Sequence, residues 1–143
     1  MIQRLRRTTK SICDVWVPAE EPSQPLEVSL RLCTDQEIRN LNSEWRGKDQ
    51  ATDVLSFPQF DMPLPSWAPT LGDVVISVDT AARQAEQQGH HLGDELVILL
   101  THGVLHLLGF DDRNAAERER MAQAERRILI PRGLDSGLVD RAG

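Results

Sequence analysis

The chain has 143 residues, of which 40% are hydrophobic and 27% charged, with a formal net charge of −6 at pH 7. That is the make-up of one water-soluble globular domain with a sizeable core, and no run of about 18 apolar residues exists to span a bilayer. The acidic balance argues against a surface basic enough to coat duplex DNA, whereas Arg4, Arg6, Arg7 and Lys10, and separately Arg46 and Lys48, leave room for a local groove that takes RNA.

The opening MIQRLRRTTKSIC is basic but leads into no apolar core, so a secretion signal is not expected. Cys13 and Cys33 lack CxxC spacing and read as ordinary thiols of a reducing cytosol. SICDVWVP (11–18), with its β-branched and aromatic residues, is predicted as a first strand, and PAEEPSQP (18–25) as a polar loop. LEVSLRLCT (26–34) alternates, with Leu26, Val28, Leu30 and Leu32 on one face, and predicts a half-buried strand. Thr34 and Glu37 form a capping box that opens the helix DQEIRNLNSEW, with Ile38, Leu41 and Trp45 on one stripe and Gly47 at its end. ATDVLSFPQF (51–60) predicts a short strand that Pro58 confines to a sheet edge or terminates. The three-proline stretch DMPLPSWAP (61–69) is expected to be an exposed, mobile loop.

LGDVVIS (71–77) predicts an apolar strand, followed by the helix VDTAARQAEQQ, which Gly89 closes. His90 and His91 directly after it are expected at the surface, Asp49 and Asp53 at turn caps. HLGDELVILLTHGVLHLL (91–108) is apolar nearly all round and should be the central buried helix, ended by Gly109. NAAERERMAQAERRIL (114–129) predicts an amphipathic helix with Met121 and Ile128 inward, stopped by Pro131 and Gly133, with a loosely ordered tail from about 131 to Gly143. No repeat or second-domain signal interrupts residues 1–143, and the strands come mostly before the long helices. The expected class is α+β, a small mixed sheet packed against helices.

The stretch HGVLHLLGFDD (102–112) carries the chemistry. On a helix His102 and His106 share one face, one turn apart, and can point two imidazoles at one metal ion. Gly109 then lets the chain fold back, so that Asp112 can reach the same ion, with Asp111 as the alternative third ligand. The pattern H-x-x-x-H-x-x-G-x-x-D has the ligand spacing of the metzincin metalloproteases, with Asp in place of the third His. Three protein ligands plus water make an open, catalytic zinc site. The bland reading, two histidines bonded to core carbonyls, explains less well why two polar rings stand in the most apolar helix. Where an HExxH peptidase keeps its general base stands Gly103, and Glu95, two turns upstream, does not replace it. The pattern therefore favours a metal hydrolase of another substrate, with an arginine to stabilise charge.

At HGVLHLLGFD the chain resembles the YbeY family, whose motif runs H-G-x-L-H-L-x-G-[YF]-D-H. The resemblance extends over LNSEWRGKDQATDVLSFP (41–58), similar to the family's LN..[YW]R.KD.PTDVLSFP, and over LGDVVIS, and covers roughly residues 26–130. It implies a small α+β fold whose zinc-like ion is held by three side chains at the bottom of a groove. Carried across by motif, the first two ligands are His102 and His106, and the family's arginine falls on Arg46, which is implied to line the groove and assist catalysis or RNA contact. The implied activity is that of a single-strand-specific endoribonuclease working with the small ribosomal subunit, in 16S rRNA 3′-end processing and ribosome quality control. Two positions depart from the family: Ala51 replaces a proline, and Asp112 replaces the last histidine. A His₂Asp site carries one unit less positive charge than His₃, which weakens its Lewis acidity and shifts preference from Zn²⁺ towards harder ions such as Mn²⁺.

The expected mechanism places the ion on a phosphate oxygen, where it lowers the pKa of a water or of the ribose 2′-hydroxyl, while Arg46 stabilises the pentacoordinate charge. Lys48 is expected only to contact backbone phosphate or solvent. Two rival classes are a zinc metallopeptidase and a ribosome-associated RNA-binding module whose metal is structural.

Overall fold

Three strands make the frame: β1 (Glu27–Cys33), β2 (Val54–Pro58) and β3 (Thr70–Ser77). The order is β1-β3-β2, with β1 parallel and β2 antiparallel to the central β3. Five helices surround it, α1 (Ile2–Trp16), α2 (Asp35–Arg46), α3 (Val78–Gln88), α4 (Leu92–Leu107) and α5 (Ala115–Leu129), followed by a 3₁₀ turn over Ile130–Arg132. This computed structural model describes residues 1–17, 26–65 and 67–134. The loop expected over 18–25 and the tail beyond 134 lie outside the described residues. The expected α+β class with a small mixed sheet is what the structure shows.

The two-residue period of β3 divides the core. Val74 and Ile76 pack with Val54 of β2 against α4, whereas Val75 joins Leu55, Cys33 and Ile38 beneath α2. The sheet is thus buried on both faces, and β3 reads as a nearly continuous apolar run. β2 lies at an edge and ends at Pro58, where a missing N–H costs no ladder bond. Helix α4 contacts the sheet and α1, α3 and α5, which explains an apolar surface all round. Burying its Leu, Ile and Val side chains contributes about 1.5–3 kcal/mol each before chain entropy is counted. No helix among the described residues is long and apolar enough to cross a membrane.

The caps follow local chemistry. Thr34 and Glu37 make the reciprocal capping box at the start of α2, and Gly47 closes that helix in the left-handed region at φ 68°. Gly72, at φ 137°, admits the β2 backbone so closely that a Cβ there would meet the Phe57 carbonyl oxygen.

Four expectations need correction. The segment predicted as a first strand over 11–18 is instead, through Trp16, the second half of α1. Leu5, Thr8 and Ile12 are buried at helical spacing against α4, and this tertiary packing overrides the β-branched composition. Leu32 is 44% exposed, so the stripe of β1 leaves the core before the strand ends, while Cys33 turns in under α2. His90 is not at the surface: it is half-buried, with Nε2 2.7 Å from Glu95 Oε2. The first residues of the expected loose tail form the 3₁₀ turn, and Leu134 packs on the core.

Candidate active site at the end of the central helix

The approach of α4 to the sheet depends on Gly103. A Cβ at this position would lie 2.6 Å from Val74 Cγ1 and 3.2 Å from Val54 Cγ2. Both neighbours are β-branched and stiff, so a side chain there would push helix and sheet apart. The contact is pinned by Ser56, whose buried hydroxyl donates to the Gly103 carbonyl at 2.8 Å. The position that would hold a peptidase's glutamate therefore faces a packed sheet, and Ser56 is committed to the backbone.

On either side of this contact, one residue before Gly103 and three after it, His102 and His106 reach a cleft of about 280 Å³, shared by Arg46, Ser56, Asp111 and Asp112. His102 is buried, and its Nδ1 lies 2.8 Å from Oε1 of Glu125, itself only 2% exposed. With a carboxylate oxygen as acceptor, Nδ1–H is the donor of this contact, which leaves Nε2 to face the cleft. His106 Nε2 lies 3.1 Å from that same atom. Burial holds the His106 imidazole below its usual range, helped by His102, while Asp112 and Asp111 pull the other way.

Two imidazole nitrogens on one tetrahedral zinc stand about 3.3–3.4 Å apart, given bonds of about 2.0–2.1 Å. The observed separation is close to this, and the carboxylate behind the first ring is the usual support of a metal-bound histidine. These two donors fit a divalent ion. The third position is not closed: among the described residues no three His, Cys, Asp or Glu side chains are gathered tightly enough to hold a metal. Asp111 Oδ1 accepts the Asp112 amide at 2.8 Å and Oδ2 lies 3.0 Å from Arg113 Nε, and the backbone donor, set against some burial, holds its carboxyl below the usual range. Asp112 stands exposed at the rim. Asp111 is thus tied into its own loop, through the Asp112 backbone and side chain and through Arg113.

Arg46 is the last residue of α2. Its Nη2 donates to the Ser56 carbonyl at 2.8 Å, and its guanidinium lies 5.8 Å from the centre of the Phe57 ring. These contacts hold the cation, which stays exposed, along the edge of β2 where it lines the cleft. Lys48 is exposed beyond it. Of the expected turn caps, Asp53 accepts the Val54 amide at 2.7 Å, whereas Asp49 pairs instead with Arg39 at 2.9 Å.

Sequence reasoning missed Glu125. The signal was present, since Met121, Ala124, Glu125 and Ile128 follow the 3.6-residue period and all are buried. A carboxylate inside an apolar stripe needs a buried partner.

The chain is similar to several known proteins. Residues 1–132 match the family model described as Endoribonuclease YbeY. The chain is 50% identical over 117 residues to Endoribonuclease YbeY of Anaeromyxobacter sp. (strain Fw109-5), covering 82% of this chain and 60% of that protein. It is 51% identical over 118 residues to the protein of the same name from Myxococcus xanthus (strain DK1622), covering 80% of this chain and 40% of that one. A chloroplastic Endoribonuclease YBEY of Arabidopsis thaliana is 50% identical over 107 residues, 75% of this chain but 18% of its own length. The chain thus spans 60% or less of the length of these curated relatives. The solution structure of a Thermotoga maritima protein shares the fold, with a TM-score of 0.59 at 23% identity, over 92% of this chain and 83% of that one. With its motifs, its fold and nearly its whole length matched, the chain belongs to the YbeY family.

Proposed function

We propose that this protein is a metal-dependent, single-strand-specific endoribonuclease of the cytoplasm, acting with the small ribosomal subunit in 16S rRNA 3′-end maturation and ribosome quality control. The observation that carries the reading is a pair of imidazoles facing each other at 3.1 Å, one braced by a buried carboxylate, in a cleft that also receives a backbone-anchored arginine. The names of the curated relatives support it as well. His102, His106 and Asp112 would hold one divalent ion, Zn²⁺ or a harder ion such as Mn²⁺. When bound, the ion supplies Lewis acidity for a phosphate oxygen and for the attacking hydroxyl.

The remaining work falls to the chain. Glu125 keeps the proton on His102 Nδ1 so that Nε2 stays available. Arg46 retains guanidinium N–H groups beyond the one bound to Ser56, and these can grip phosphate and stabilise charge as it develops. Two alternatives fit less well. A structural zinc site is closed by four ligands, unlike this open cleft. A peptidase lacks its base, and Gly103 has no room to provide one.

Metal content and RNA cleavage measured together on wild type, His102→Ala and Arg46→Ala, purified identically to hold contaminating nuclease constant, test the proposal. Wild type should carry one ion and cleave single-stranded RNA in proportion to it. His102→Ala should lose both, and Arg46→Ala should keep the metal while losing roughly 10²–10³-fold in rate. Cleavage unchanged across all three ends the nuclease reading.

A further inference from the structure

The chain has six aromatic residues, three Trp and three Phe. Trp16 and Phe110 pair against the core. The other four form two edge-to-face pairs, Trp45–Phe57 at 6.5 Å and Phe60–Trp67 at 5.3 Å between ring centres, and Trp45, Phe57 and Phe60 lie within two residues in sequence of the cleft residues Arg46 and Pro58. Both tryptophans are turned outward, Trp45 64% and Trp67 72% exposed. Burying a large apolar side chain is worth about 1.5–3 kcal/mol, so an occupant that covers either indole gains by it.

Their placement says what the occupant is. Trp45 is followed directly by Arg46, whose guanidinium lies over Phe57 and lines the cleft. Pro58, next to Phe57, lines it too. Two residues beyond Phe60, Met62 packs where a Cβ on Gly109, another cleft residue, would stand 3.2 Å from it. Phe57 and Phe60 can be no more than about 11 Å apart along the chain. Both aromatic pairs therefore hang from the segment that forms one wall of the cleft. An edge-to-face partner covers at most one face of an indole, so each tryptophan keeps a face free of its phenylalanine. Exposed aromatic faces beside a cation are the means by which proteins hold unpaired bases, because every base has a π-face and a duplex hides it.

We infer that Trp45 and Trp67 are base-stacking platforms, which take the unpaired bases of nucleotides neighbouring the phosphate that Arg46 binds. The preference for single strands then comes from these indoles rather than from the residues that hold the ion. The inference rests on the reading of the cleft as an RNA site, and its test separates the two.

Binding by wild type, Trp45→Ala, Trp67→Ala and the corresponding Phe variants is measured with three probes: a labelled single-stranded oligouridylate, an abasic ribose–phosphate oligomer of equal length, and an RNA duplex. One stacked base is worth about 1 kcal/mol or more, so each Ala variant should bind the oligouridylate at least about fivefold more weakly. Binding of the abasic oligomer should not change, and the Phe variants should retain most of the affinity. Independently of folding effects, Trp16→Phe should show indole fluorescence quenched by the oligouridylate and not by the abasic oligomer. Ala variants that bind oligouridylate like wild type overturn the inference, as does an equal loss on the abasic oligomer. So does unchanged RNA binding combined with lost association with small ribosomal subunits, which would assign the indoles to a protein surface. If wild type neither binds nor cleaves RNA, the nuclease reading falls and the inference with it. If wild type does both and the tryptophan variants match it, the stacking inference alone falls.

Discussion

His90 Nε2 lies 2.7 Å from Glu95 Oε2 at the start of α4, and His102 Nδ1 lies 2.8 Å from Glu125 Oε1 towards its end. The chemistry is the same and the carboxylates are equally buried, at 0% and 2% of their side-chain surface. Their settings differ. Glu95 sits in the first turn of α4, where the helix dipole favours a negative charge. Glu125 lies within α5, one residue short of its last turn, and gains nothing from that dipole. At the first pair the helix start shares in supporting the carboxylate, and the histidine closes a packed corner. At the second the carboxylate depends on the histidine, and the histidine presents its other nitrogen to the cleft. The same hydrogen bond therefore acts as a staple in one place and as a ligand orienter in the other.

The strongest way to break this comparison is to remove each histidine. His102→Ala should cost about 3–5 kcal/mol, because it removes the partner of a buried charge, and should abolish metal binding. His90→Ala should cost about 1–3 kcal/mol and leave metal stoichiometry unchanged. Urea midpoints and metal analysis on both variants check the pair. Equal metal loss in the two would mean that both ends of α4 feed the cleft.

Much of this arrangement was legible in the sequence, for reasons specific to each residue. The spacing of His102, His106 and Gly109 is local, so helix geometry alone brought the two rings together. Thr34 with Glu37, and Gly47 and Gly89, are short-range signals that resolved the helix ends. What stayed hidden was long-range. The partner of His102 is 23 residues away on α5, visible only as a charge on an apolar stripe. The α1 segment was misread because Ile12, Val15 and Trp16 suit a strand by composition, and only contact with α4 decides the matter. Gly103 was read as a missing base, whereas its packing against Val74 shows that nothing larger fits.

Neutral carboxamides sharpen the comparison without creating cavities. Glu125→Gln should lower metal affinity roughly 10- to 100-fold, the usual effect of losing a histidine's supporting carboxylate. Glu95→Gln should leave affinity unchanged and show only in the melting temperature. Chelator competition on the metal-loaded chains gives the first number and calorimetry the second.

A smaller effect is expected where the two pairs are mechanically linked through α4. Gly103→Ala should destabilise by about 1–3 kcal/mol, since the new methyl meets β-branched side chains on both strands. It should also loosen the cleft end of the helix more than the Glu95 end. Amide hydrogen exchange along α4 reads the difference, and uniform loss of protection would deny that the ends respond separately.

The mildest test concerns a third carboxylate, Asp35, which like Glu95 stands at a helix start but has no histidine partner. Its Oδ1 accepts from the hydroxyls of Ser77 and Thr80, each at 2.6 Å, and its Oδ2 accepts from Arg83 at 2.8 Å. Burial pushes the carboxyl up, but these donors outweigh it and hold it at about 2. A depressed carboxyl stabilises the fold above its unfolded value, near 3.8, and that contribution disappears as pH falls from about 4 through 2. The group is partly exposed, so solvent screening leaves an effect on the order of 1 kcal/mol. Asp35→Asn should be less stable than wild type by this amount at about pH 6 and should converge with it near pH 2, as read from urea midpoints at several pH values. If the deficit instead persists unchanged at pH 2, hydrogen-bond geometry rather than charge secures the helix start, and the argument that the α4 dipole makes Glu95 less dependent on its histidine loses its support.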